Sequence, residues 1–505
     1  MTTTALDFAR LQVQAPTEGF ILGRSLLGDN LAAEGDALTW NDWTPEAGSI
    51  TVARTIREVG TITVSLRGDA TDADDGVTLR PSQPIRLTTP AGGIVYEGQV
   101  QDVETEDSDD VSQTNPEPVT TVVGVDATNA HVNTTRYGAV SATPETFYAR
   151  VNRLSESATM PIDNRDLMDS RTIPPNLDDW ERALQPVGVL STYSGEYLTG
   201  VSQEGPDWYS IYAMTDVGDL VPGWEYTITL PAQSVVGDFA YRLSVDQSDE
   251  LLVEGPAVTL LGVTAPPRTL SVTFTATAET HRLYVQFASS EPAGARKIVW
   301  GALVITNATP DPYRLRSIVY EGALTDHLNI ACDSVGGFWW VDRTNMTRVR
   351  RGLPQTTVME LSDVTEPSYA GLLRGFNTRN LVNDLTVTNL GRTGGGEAIE
   401  DVSGALDETS IATWGRRSGE LRTSLDDSTG DVATRAAEVL AKTSDVARHP
   451  QRLRISGQVV DPSTYDLYDL IGITRKGVRH EVRIEGIEHT ITAHDWVTEL
   501  TVGKP

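Results

Sequence analysis

The sequence predicts a mainly β chain, a β-rich α+β protein in which two related small β-barrels with helical connections flank an inserted jelly-roll β-sandwich. Three observations carry this expectation. Short runs alternate apolar and polar residues with a period of two, and Gly, Pro and Asp punctuate them. A tight Gly-turned hairpin also recurs in similar form near both ends. At 505 residues the chain has room for roughly three or four domains. Its 39% hydrophobic and 22% charged content is that of folded protein and excludes wholesale disorder.

An N-terminal arm is expected over 1–39 and a first barrel over 40–140. In Ile50-Thr51-Val52 and in Thr61-Ile62-Thr63-Val64-Ser65-Leu66 the alternation is that of half-buried strands. Ile85-Arg86-Leu87, Ile94-Val95-Tyr96 and Val119-Thr120-Thr121-Val122-Val123 follow at the spacing of a small antiparallel barrel or sandwich. From Asp102 to Pro118 the chain holds seven acidic residues and no basic one, which reads as a solvated loop.

A helix and linker are expected over 141–187: Pro144 and Glu145 open it, and Phe147, Val151 and Leu154 stand at helical spacing. Pro161, Pro174, Pro175 and Pro186 then mark the linker. The inserted sandwich is expected over 188–312. Its strands are Tyr226–Leu230, Tyr241–Val245, Leu270–Phe274, Leu283–Phe287 and Ile298–Ile305, and aromatic residues concentrate there. A connecting domain over 313–375 carries a helical stripe of Ile318, Leu324, Leu328 and Ala331, weakened by Gly322. Gly336-Gly337 then turns the chain into Phe338-Trp339-Trp340-Val341. The second barrel, over 376–505, includes a helix at about 431–445.

Within that last block, the apolar phase runs on even positions from Val478 to Ile484 and moves to odd positions at Ile487, His489 and Ile491. A one-residue phase change at Gly486 is the mark of a bulge or bend. Ile85 to Gly98 and Ile473 to Gly486 are equally spaced, each with a glycine turn between, which suggests an internal repeat. Chance similarity of two Gly-turned hairpins is the competing account.

Forty basic against 70 acidic residues leave a net charge of −30, which argues against general nucleic-acid binding and against adhesion to anionic membranes. One cysteine, Cys332, excludes an intramolecular disulfide and a thiolate zinc site, and its place in the helical stripe makes it a small buried hydrophobe. No apolar run reaches the roughly 18 residues of a membrane span, and the start lacks a signal-peptide pattern, so synthesis in a cytoplasm is expected. Phosphate-binding, dinucleotide-binding and nucleophile-elbow motifs are absent. The segment Asp69–Gly76 matches a calcium loop only in composition. His480, His489 and His494 lack metal-ligand spacing, and His489 in the apolar phase reads as a hydrogen-bonded core histidine. No catalytic residue, metal or cofactor is expected.

One chemical lead sits in the inserted module. With Leu283, Val285 and Phe287 on the inner face, the outer face of that strand carries Arg282, Tyr284 and Gln286. An aromatic flanked by an arginine and an amide suits sugar binding by stacking and hydrogen bonds. Trp208, Tyr209 and Tyr212 offer a second platform. The alternative is that these rings pack at a domain edge or an oligomer interface.

The series Phe20-Ile21-Leu22-Gly23-Arg24-Ser25-Leu26-Leu27-Gly28, Trp40-Asn41-Asp42-Trp43-Thr44, Gly60–Leu66, Pro84–Leu87 and Tyr96-Glu97-Gly98 resembles the minor tail proteins of long-tailed phages infecting actinobacteria. Ile484–Ile491 and Trp496–Leu500 are similar to the end of the same proteins. These in turn look like the baseplate hub family, whose members carry two related barrels. The likeness covers about 1–160 and 313–505, and the insert is similar to carbohydrate-binding jelly rolls. The resemblance implies a homotrimer at the virion tail tip whose six barrels form a ring. That ring would close the tail tube, join the distal tail protein, the tape-measure protein and other tail-tip proteins, and help host attachment and genome ejection. Host cell-wall glycan is a further expected partner. The alternative function is a lectin or hydrolase acting on bacterial cell-wall polysaccharide. The missing signal peptide and the flanking barrels favour the first.

Overall fold

Alternation builds the first strands as expected: in Thr61–Arg67, Ile62, Val64 and Leu66 are fully buried while Thr63 and Arg67 face outward. The computed structural model describes residues 8–14, 40–44, 47–70, 79–106, 118–135, 139–140, 144–158, 161–164, 170–173, 181–182, 191–193, 197–202, 210–218, 220–234, 239–247, 250–260, 266–278, 280–287, 296–308, 313–320, 322–375, 381–392, 397–426, 431–446 and 449–505. They belong to two units. The first lies within 1–163, 313–349 and 356–505, the second within 164–312 and 350–355. The opening run Phe20–Gly28 and most of the expected arm fall outside the described residues.

A 13-stranded sheet organises the first unit. Its strands are β1 (Arg10–Gln14), β2 (Trp40–Asp42), β3 (Ala47–Thr55), β4 (Thr61–Arg67), β5 (Pro84–Thr88), β6 (Ile94–Glu106) and β7 (Val119–Val125) from the N-terminal part. The C-terminal part gives β8 (Thr357–Ser362), β9 (Gly371–Gly375), β10 (His449–Ser456), β11 (Leu470–Arg475), β12 (Val478–Thr492) and β13 (Trp496–Gly503). The path runs β2-β1-β5-β6-β7-β4-β3-β12-β13-β10-β9, with β11 on β12 and β8 on β11.

The path contains one strand order twice: β1-β5-β6-β7-β4-β3 in the first half and β8-β11-β12-β13-β10-β9 in the second. Each half uses its strands in the same sequence order. Every pair within the halves is antiparallel except β8 with β11, which is parallel where β1 with β5 is antiparallel. The two expected barrels are therefore the halves of one sheet, and neither closes on itself among the described residues. The reason is the edge of β3: instead of returning to its own half it pairs with β12, from Ser49 opposite Thr492 to Thr55 opposite Gly486.

The bulge expected at Gly486 is present as a register shift between Ile484 and Gly486 on β13. β6 carries its counterpart, a shift between Val100 and Asp102 on β7. The hairpins themselves differ. Ile85 pairs with Gly98 across a longer loop, whereas Ile473 pairs with His480 across the two-residue turn Lys476-Gly477. Both turn residues have positive φ, as that turn requires. The equal spacing of Ile85–Gly98 and Ile473–Gly486 thus joins positions that are not equivalent, although the repeat itself exists at the level of strand order and bulge.

Packing continues through the β3·β12 junction. Ile491 and Trp496 of the second half are buried in one cluster with Leu11, Ile50, Val52, Ile62 and Leu87 of the first. Arg54 on β3, 3% exposed, donates to Asp466 Oδ1 at 2.8 Å and to the Val341 carbonyl at 2.6 Å. Gly60 has no room for a side chain, since a Cβ there would meet Asp126 Oδ2 at 2.3 Å. Asp126 in turn accepts from the Thr128 N–H and caps α1 (Ala127–Asn133).

Helices α2 (Phe147–Ala158), α3 (Leu324–Val335) and α5 (Asp431–Thr443) stand where the apolar stripes placed them, and Gly336 ends α3 in the left-handed region at φ 72°. α1 and α4 (Glu408–Trp414), seven residues each, are too short to show a periodic stripe. Asp384–Arg392, Ala398–Leu406 and Ser418–Thr423 form a separate three-stranded sheet.

The second unit holds a seven-stranded and a six-stranded sheet. Ile228, Leu230, Val272, Phe274, Trp300 and Ile305 from one, and Tyr241, Leu243, Val245, Leu283 and Val285 from the other, meet in a shared buried core. This is a β-sandwich, as expected for the insert.

Candidate functional site

The six-stranded sheet of the second unit positions the candidate residues. Strand His281–Phe287 lies between Ser210–Val217 and Phe239–Gln247, and Glu250–Glu254 pairs with the latter. Leu283 and Val285 enter the core at 0% exposure, so Arg282, Tyr284 and Gln286 share the opposite face. Tyr284 and Gln286 are themselves only 6% and 7% exposed, so the ring does not stand open as a stacking platform. Arg282 departs from the other two: its Nε donates to Asp216 Oδ1 at 2.9 Å in a solvent-exposed pair, the kind that contributes little.

Register decides which groups surround Gln286. Arg242 lies directly opposite it and Ser244 directly opposite Tyr284. Arg242 Nε donates to Gln286 Oε1 at 2.8 Å, and its two terminal nitrogens grip the Glu254 carboxylate bidentately. This fixes a planar guanidinium beside a carboxamide. Ser244 Oγ, fully buried, has no hydrogen-bond partner among the described residues. The sheet face thus gathers a guanidinium, a carboxylate, an amide and a phenol, with the serine hydroxyl buried among them.

Arg242, Ser244 and Glu254 were not among the sequence candidates. The alternation Tyr241-Arg242-Leu243-Ser244-Val245 already placed Arg242 and Ser244 on an outer face, but strand adjacency is not written in any one strand. Trp208 and Tyr209 lie outside the described residues, as does the side chain of Tyr212.

The C-terminal histidines do not converge. His489 is 2% exposed, its Nδ1 pairs with Thr498 Oγ1 at 2.8 Å and accepts from Trp496 Nε1 at 3.3 Å. Burial, with the nearby Arg54 charge adding to it, pushes its pKa down to about 3, so the ring is neutral. Cys332 is fully buried in α3. Among the described residues no three His, Cys, Asp or Glu side chains gather to hold a metal, and no helix is long and apolar enough to cross a membrane.

No protein-family model matches the chain, and no curated protein matches it. Among solved structures, it is similar to the 43 kDa tail protein of prophage MuSo2 from Shewanella oneidensis, with 9% identity, a TM-score of 0.46 and 98% of each chain covered. It is likewise similar to a tail protein from Neisseria meningitidis MC58, with 9% identity, a TM-score of 0.45, and 98% of this chain and 96% of that one covered. Part of the chain, 24%, is similar to 77% of a CBM4 structure, with 18% identity and a TM-score of 0.19.

Proposed function

We propose that this chain is a structural component of a phage tail, a hub at the tail tip that assembles as a homotrimer. The observation that carries the reading is the doubled strand order within one chain, with the two halves joined edge to edge through β3 and β12. Three copies of a two-half chain present six quasi-equivalent surfaces, which is how a threefold assembly meets a sixfold neighbour. The sequence resemblance to minor tail proteins supplies that neighbour: the distal tail protein and the tail tube, with the tape-measure protein held in the ring until ejection. In this reading the chain has no catalytic role. Native mass spectrometry of the purified chain is expected to give three chain masses. A single chain mass at every concentration would contradict the hub reading.

The polar face of the second unit supports a second element of the reading, binding of host cell-wall glycan during attachment. Arg242, Gln286 and Glu254 carry it. Truncating Arg242 to alanine removes a donor fork and frees the Glu254 carboxylate, so retention on host-wall polysaccharide is expected to weaken by about 1–3 kcal/mol. The melting point of the second unit serves as the control. Unchanged retention with a lowered melting point would assign Arg242 to packing. Release of reducing ends from the polysaccharide would instead favour a glycan-active enzyme.

A further inference from the structure

The bulges give a residue-by-residue equivalence between the halves. Val100 and Asp102 flank the shift in β6, as Ile484 and Gly486 flank it in β12. Before the bulge each long strand pairs with its hairpin partner, β5 or β11. After it the halves part company. Residues Gly486–Ile491 of β12 are paired on both sides, by β13 and by β3. The counterpart in β6, Asp102–Glu106, has β7 on one side and no strand on the other among the described residues. At the far end of the path β9, the counterpart of β3, has β10 on one side and no second neighbour among the described residues.

One half therefore offers an open acceptor edge and the other an open donor edge, and the chain already contains that donor–acceptor contact once, as β3 on β12. We propose that β9 of one copy adds antiparallel to Asp102–Glu106 of β6 in the next copy, repeating between chains the junction that β3 and β12 make within one. This rests on the self-assembly put forward above and names the surface that performs it.

The register follows from the equivalence. Thr501 and Val123 face the residues just after the bulges, so their partners Arg452 and Thr63 correspond. Arg452 faces Leu373 and Thr63 faces Thr51, so Leu373 corresponds to Thr51. Arg374 faces Pro450, two residues before Arg452, and so corresponds to Ala53, the partner of Thr61. Ala53 faces Glu488, whose place in β6 is taken by Glu104. Arg374 thus comes to lie opposite Glu104.

Charge agrees with that register. The open half of β6 carries Asp102, Glu104 and Glu106. The donor edge carries Arg374, with Arg454 on the adjoining β10 where Arg452 is already paired with Glu499 at 3.0 Å, and Leu373 stands 57% exposed beside them. Opposite charges directly across an antiparallel pair stabilise it, and like charges oppose it. In a chain of net charge −30, a local basic edge facing a local acidic one selects the head-to-tail contact over others. Such a contact is heterologous and closes into a ring when its rotation permits. It also covers two strand edges that would otherwise stay open to indiscriminate pairing.

The test uses the full-length chain. The double variant Glu104→Cys with Arg374→Cys, mildly oxidised, is expected to give a ladder of disulfide-linked oligomers that collapses on reduction, while neither single variant gives it. Glu104→Arg is expected to weaken assembly about tenfold, and adding Arg374→Glu to the same chain to restore it. Circular dichroism melting of each variant checks that the fold is kept. Assembly that persists without crosslinks and ignores both charge changes overturns this interface while leaving the hub reading in place. A wild-type chain that never assembles overturns both.

Discussion

Replacing Arg54 with alanine is expected to destabilise the first unit by about 3–5 kcal/mol, the cost of breaking a buried ion pair by removing one partner. The side chain reaches from β3 in the first half to Asp466 in the second and to the Val341 carbonyl between them. Truncation removes the counter-charge of the 13%-exposed Asp466 carboxylate, which keeps only the Leu467 and Arg343 N–H groups as donors, and takes the Arg54 donor from the Val341 carbonyl. A methionine, which fills the same volume without charge, supplies neither the counter-charge nor the donors and is expected to recover only the packing part. Urea unfolding of the Arg54→Ala protein measures this directly. A change below about 1 kcal/mol would mean that water replaces the guanidinium and that the halves are held by the strand pairing alone.

Trp496→Ala is expected to cost about 3–5 kcal/mol as well, by opening a cavity where the two halves share a core. The indole is 1% exposed, packs edge-on against His489 with ring centroids 5.7 Å apart, and its Nε1 donates to the His489 ring. The chain has built closely around it: a Cβ on Gly457 would meet the indole at 2.6 Å. Because Trp496 and Ile491 come from the second half and Ile50 and Ile62 from the first, both halves are expected to lose stability in one cooperative transition. Two separated transitions in the variant would show that the shared cluster contributes less to coupling than its burial implies.

Local signals were legible in the sequence. Alternation located β4, β6 and β12, the phase change at Gly486 located the bulge, and the apolar place of His489 gave its buried, hydrogen-bonded state. Each depends on residues adjacent in sequence, where period and φ preference act. The strand order was not legible. Pairing β3 with β12 joins opposite ends of the chain, and no local pattern encodes which edge a strand will find. The repeat illustrates the same limit. Equal spacing of two hairpins suggested it, yet the loops differ in length, and only the bulges reveal which residues correspond. In the second unit the outer-face alternation named Tyr284, Gln286 and Arg282 together. Register then regrouped them, placing Arg242 and Glu254 around Gln286 and tying Arg282 to Asp216. Burial of Tyr284 could not be read from its strand, because what lies over a sheet face comes from elsewhere in the chain.

In the proposed assembly the two halves are equivalent parts of one ring. Electron cryomicroscopy of the purified chain, classified without imposed symmetry, tests this most directly. The expected result is a threefold ring whose wall is a continuous sheet, with β3·β12 junctions inside chains alternating with β9·β6 junctions between them. Particles of single chains, or a ring that leaves the edges of β6 and β9 apart, would contradict it.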